Sequence, residues 1–143
     1  MSEVVRTAEV AAPPDAVWKV LADFGAISAW APNADHSCLM GEQTEGVGTV
    51  RRIQAGRTTL LETVETWDPP TTLSYSLAGL PPVVRSASNT WQIAEAPGGS
   101  RVTLTSRVDA GPRPPQKLIA RIVGRVLARA SDQMLAALKE RVT

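Results

Sequence analysis

Residues 115–141, PQKLIARIVGRVLARASDQMLAALKER, dictate how the rest of the chain must be arranged. Ile119, Val123, Val126, Ala130, Met134 and Ala137 recur at three- and four-residue intervals, with Leu127 and Leu138 at the edge. That is the spacing of one helical face and not of a strand. Lys117, Arg121, Arg125 and Arg129 recur every fourth residue on the other side. The pattern predicts an amphipathic helix with the apolar row buried, Val126, Ala130 and Met134 included, and the arginines in water. Pro112, Pro114 and Pro115 end whatever precedes it, and proline is tolerated in a first helical turn because its missing N–H has no partner there. At ~1.5 Å per residue such a helix is about 40 Å long. It needs a broad sheet to cover its apolar side.

Upstream of this helix the period is two. Ser86–Glu95 and Arg101–Val108 alternate around Pro97-Gly98-Gly99, with Trp91 and Ile93 meeting Val102 and Leu104. Thr49–Gln54 and Arg57–Trp67 read as a hairpin with Ala55-Gly56 as its turn. That register places Arg51 opposite Leu60 and diagonal to Glu62, all on one face with Val64. Leu73, Tyr75 and Leu77 follow the Asp68-Pro69-Pro70-Thr71 turn and reach the same face independently. Gly79-Leu80-Pro81-Pro82 is a loop. A strand from His36 puts His36, Cys38 and Met40 on one face. At the start of the chain, Glu3–Val10 is β-rich. Ala11–Asp15 then opens a short helix with Val17, Val20, Leu21 and Phe24 as its stripe, and Ala26–Trp30 forms a second. Strands in succession with helices towards the two ends predict an α+β fold built on an antiparallel sheet.

The bulk properties exclude more than they establish. With 143 residues the chain is expected to form one domain, 1–143, able to bury about two-thirds of its unfolded surface. Fifteen basic against fourteen acidic side chains leave no overall field to recruit nucleic acid. The single cysteine, Cys38, excludes an internal disulfide and fits a reducing compartment. An acid near the N-terminus and no apolar h-region argue against a secretory signal. Arginines interrupt every apolar run short of the ~20 residues of a membrane span. A soluble, cytoplasmic protein without a transmembrane segment is expected.

The order of strand, two short helices, six strands and long C-terminal helix resembles the START-like, helix-grip superfamily often labelled SRPBCC, and within it the bacterial polyketide cyclase/dehydrase branch. The resemblance rests on Ala12–Trp18, Asp23-Phe24, Trp30-Ala31-Pro32, Gly46–Arg51, Glu62, Trp67–Pro70, Leu73–Tyr75 and Leu80-Pro81. It implies a curved seven-stranded antiparallel sheet gripping the C-terminal helix, two short helices between the first and second strands, and an internal cavity. The residues expected to contact a ligand there are Trp30, His36, Arg51, Leu60, Glu62, Tyr75, Trp91, Val126, Ala130 and Met134. Such members bind lipid-like or polyketide-like molecules or cyclise them, so a small hydrophobic ligand is the implied partner.

Candidate chemistry is sparse. Arg51 and Glu62 on one inward face either hold the polar end of a ligand or neutralise each other, since buried charges need partners. Glu62 and His36 are the candidates for general acid or base. Glu65, three residues from Glu62, points away from it. One histidine and one cysteine cannot supply a zinc site, and no metal or cofactor is expected. Gly46-Val47-Gly48 lacks the third glycine and the βαβ context of a dinucleotide site. Three classes of function remain: a carrier or sensor of a small hydrophobic molecule, an aromatase/cyclase-type enzyme, and an interaction protein with a vestigial cavity.

Overall fold

The computed structural model describes residues 2–143. Among them the elements are β1 (Ser2–Val10), α1 (Pro14–Ala22), a 3₁₀ helix (Phe24–Ala29), β2 (His36–Leu39), β3 (Val50–Ala55), β4 (Thr58–Asp68), β5 (Thr72–Ala78), β6 (Ser86–Ala96), β7 (Gly99–Asp109) and α2 (Pro114–Val142). All strand pairs are antiparallel, in the order β1-β7-β6-β5-β4-β3-β2. The curved sheet wraps α2 in the helix-grip arrangement.

Strands β1 and β2, neighbours in the chain, lie at opposite edges of the sheet. The segment joining them must therefore cross the concave side, and α1 and the 3₁₀ helix do so, burying Val17, Trp18, Leu21, Phe24 and Ile27 in the core. This closes one end of the space between sheet and α2.

Strand alternation fixes the inward face. Trp91 pairs with Leu104 and Ile93 with Val102, as their spacing predicts. Between β3 and β4 the face is as expected but the register differs by two: Arg51 lies directly opposite Glu62, and Ile53 opposite Leu60. The cause is the turn. Gly56 has φ +61 and occupies the first central position with Arg57 second, as a type II′ hairpin prefers, whereas a turn at Ala55-Gly56 would place glycine second. A bulge at Glu65 lets both Val64 and Trp67 face inward, three residues apart. Glu65 itself stays exposed.

The helix also departs from the sequence pattern. Arg121, Arg125 and Arg129 are exposed as expected, but so is Val126, at 66 %. The buried row is Ala120, Gly124, Ala128, Ser131, Leu135 and Leu138, with Met134 beside it. Small residues let the helix approach β1 closely: a Cβ on Gly124 would come within 2.9 Å of Ser2 Oγ. Tight packing on small side chains rotates the larger apolar ones outward. No helix among the described residues is long and apolar enough to cross a membrane.

Candidate functional site

A cavity of about 140 Å³ lies between the concave face and the middle of α2. Leu60 and Leu77 from the sheet, Leu127, Ala130 and Met134 from α2, and Ile27 from the 3₁₀ helix give it apolar walls. Glu62, Tyr75, Asn89, Ser106 and Ser131 supply polar atoms. A larger open depression of about 580 Å³ lies between Ala11–Pro14 and Glu95–Gly99. Its lining is almost wholly alanine, proline and glycine, so it brings little chemistry together.

At one side of the cavity, Arg51 and Glu62 form an ion pair that is only 3 % and 4 % exposed. Arg51 Nε donates to Glu62 Oε1 at 2.7 Å, Nη2 lies 2.6 Å from the same oxygen, and Nη1 donates to the Phe24 carbonyl at 3.0 Å. The guanidinium sits 3.8 Å from the Phe24 ring centre and 4.6 Å from that of Tyr75, so two aromatic faces stabilise its charge. Both arginine contacts fall on Oε1, and no hydrogen bond to Oε2 occurs among the described residues. Burial pushes the Glu62 carboxyl above its ordinary range, and the attraction of Arg51 offsets this only in part.

A polar row continues across the sheet. Tyr75 pairs with Asn89 and Asn89 with Ser106, so the three side chains share the inward face. The Tyr75 hydroxyl accepts from Trp91 Nε1 at 3.1 Å and from Asn89 Nδ2 at 3.4 Å. Ser106 Oγ donates to Asn89 Oδ1 at 2.6 Å and lies 3.3 Å from Ser131 Oγ on α2. With two donors on its oxygen, the phenol is left to donate its own proton, and no protein acceptor for it occurs among the described residues. Burial, followed by the negative charge of Glu62, raises the Tyr75 pKa, which keeps the phenol protonated. The cavity thus combines an uncapped carboxylate oxygen and a phenol donor with apolar walls.

Leu60, Glu62, Tyr75, Ala130 and Met134 line this space. Arg51 stands behind Glu62, and Trp91 lies in the core, orienting the Tyr75 hydroxyl. Three expectations need correction. Val126 is outside, for the packing reason given above. His36 faces away, because β2 pairs Leu39 with Arg51 and Ser37 with Ile53, which turns Ser37 and Leu39 inward and leaves His36 and Cys38 exposed. Trp30 packs edge-on against Trp91 at 6.2 Å and lies near Arg141 at the end of α2, away from the cavity. Asn89, Ser106 and Ser131 line the cavity without standing out in the sequence. Asn89 and Ser106 share parity with Trp91 and Leu104, so a polar residue at an inward strand position was the available signal.

The chain matches, over residues 1–143, a family model described as polyketide cyclase / dehydrase and lipid transport. No curated protein sequence matches it. A solution structure of a protein from Thermobifida fusca is similar over 99 % of this chain and 93 % of its own, with 27 % identity and a TM-score of 0.81. The Zhui aromatase/cyclase from a Streptomyces species is similar over 99 % and 93 %, with 24 % identity and a TM-score of 0.78. The protein XoxI from Bacillus cereus is similar over 99 % and 96 %, with 19 % identity and a TM-score of 0.79. The latter two likenesses speak for the fold alone. The match along its whole length makes the chain a member of the polyketide cyclase / dehydrase and lipid transport family.

Proposed function

We propose that the chain binds a small, largely apolar molecule bearing an oxygen function, held between the sheet and α2, as a carrier or sensor. The observation that carries this reading is Glu62: a nearly buried carboxylate whose Oε2 has no hydrogen-bond partner among the described residues and which lines an apolar cavity beside the Tyr75 phenol. A ligand hydroxyl would donate to Oε2, and a ligand carbonyl would accept from Tyr75. The volume supports a ligand of about one ring, since a dry protein cavity of about 150 Å³ admits benzene. A longer polyketide-like or lipid-like molecule requires α2 to move outward. Native mass spectrometry of the purified protein should reveal a co-purifying small molecule, and calorimetry should detect binding of a single-ring phenol. Ala130→Trp fills the space and should abolish phenol uptake. Equal uptake by both proteins would exclude the cavity as the site.

One observation favours a second reading. The raised pKa of Glu62 brings a carboxyl nearer to the pH at which general acids and bases work, with a phenol donor in the same cavity. An enzyme of the cyclase type should turn over a short poly-carbonyl substrate and lose roughly 100-fold in rate or more in Glu62→Gln with its fold intact. A binding protein shows no product in either form.

A further inference from the structure

The outside of the N-terminal half of α2 is both apolar and basic. Leu118, Ile122 and Val126, each one helical turn from the next, are 58 %, 54 % and 66 % exposed. Arg121, Arg125 and Arg129 follow these residues at a spacing of three, so a row of cations runs alongside the apolar row. Residues 113–131 contain five cations, Arg113, Lys117, Arg121, Arg125 and Arg129, and no Asp or Glu. All five are exposed. The ion pairs among the described residues use Arg6, Arg51, Arg101 and Arg107, and none of these five. The flanking acids are engaged elsewhere: Asp132 pairs with Arg6 at 3.1 Å, and Asp109 accepts from the Gly111 amide. On the other flank, half-buried Ile119, Val123 and Leu127 share a cluster with Leu80 and Val84 of the β5–β6 loop, whose Val83 is exposed as well. The overall net charge is only +1, so this concentration of positive charge is local.

We infer that this face of α2 docks on an anionic lipid surface. The helix lies in the plane of the headgroups, with Leu118, Ile122 and Val126 inserted at the headgroup–acyl boundary and the cations against lipid phosphates and carboxylates. The two rows together select this occupant. A nucleic acid would satisfy the cations but leave the aliphatic row in water. A second copy of the chain would cover that row but set five cations against five more. A bilayer accommodates both rows. Leu127 and Ala130, next to this face, line the cavity, so a docked molecule holds its α2 wall at the membrane. Docking itself does not require the cavity to be filled.

The test is co-sedimentation of the full chain with phosphatidylcholine vesicles, with or without about a third phosphatidylserine. Binding should require the anionic lipid and weaken as salt rises. Arg121→Glu with Arg125→Glu should reduce partitioning at least about twentyfold. Ile122→Asp with Val126→Asp should reduce it at least about tenfold on the same vesicles. All four positions are exposed, and circular dichroism should show the fold unchanged. Absence of binding, binding indifferent to phosphatidylserine, or variants that partition like the parent would overturn the inference. So would a stable dimer that Val126→Asp dissolves in a protein that ignores vesicles, or tight binding of an RNA oligonucleotide without vesicle binding.

Discussion

The two halves of α2 follow different rules along one continuous helix. Towards the C-terminus, Met134, Leu135 and Leu138 enter the main core with Trp91, Leu104 and the α1 side chains, and size determines which face is inside. Towards the N-terminus, Ala120, Gly124 and Ala128 face the sheet while Leu118, Ile122 and Val126 face out. There, distance decides: the backbone lies so near β1 that only small side chains fit between. The cavity opens where the rules change, at Leu127, Ala130 and Ser131.

The largest effect should come from the C-terminal half. Leu138→Ala removes a fully buried side chain and should lower stability by about 2–5 kcal/mol in urea melts. A loss under about 1 kcal/mol would mean that this half is no denser than the other. Gly124→Leu probes the opposite rule. Its side chain must displace Ser2 and Val4, so a loss of about 1–3 kcal/mol is expected, with the helix lifted from β1. Unchanged stability would show that the approach to β1 has slack.

Glu62 offers a comparison by pH. Its folded pKa is raised above the ordinary 4.5, so folded protein holds this proton more tightly than unfolded protein. Its contribution to stability is therefore most favourable below about 4.5 and declines as pH rises through the raised value. Relative to Glu62→Gln, the parent should be most stable in mild acid and lose ground towards neutrality. A difference that grows with pH instead would show that Arg51 holds the carboxylate ionised. The smallest effect belongs to Val126→Ala, expected within about 0.5 kcal/mol, because the side chain is exposed. A large loss there would return Val126 to the core.

These contrasts explain what the sequence made legible. Strand positions read well because period-two alternation has only two outcomes, and Arg51, Glu62 and Tyr75 reached the inward face even with the register displaced by two. The sequence pattern gives His36 the wrong face because β2 is four residues long and its face is set by the pairing of Leu39 with Arg51 and of Ser37 with Ile53, not by its own pattern. The spacing assigns Val126 to the buried row because it weighs large side chains, and Gly124 and Ala128 do not register on that scale. The polar row of Asn89, Ser106 and Ser131 joins two strands and a helix, a proximity that no local window contains.

The placement of β1 and β2 at opposite edges bears on the order in which the molecule assembles. Strands β2 to β7 each pair with their sequence neighbour, so their ladders can grow by short loop closures. The β1–β7 ladder runs from the Val10–Ser100 pair to the Ser2–Val108 pair, so it must close a loop that contains every other strand. Contacts of that span form slowly, and α2 cannot seat Gly124 on β1 before β1 is in place. Pulsed hydrogen exchange should find amides of β4 to β6 protected before those of β1. The N-terminal half of α2, which brings Leu127 to the cavity wall, then seats only after β1, and a small molecule present at that moment would be enclosed without having to open a finished fold.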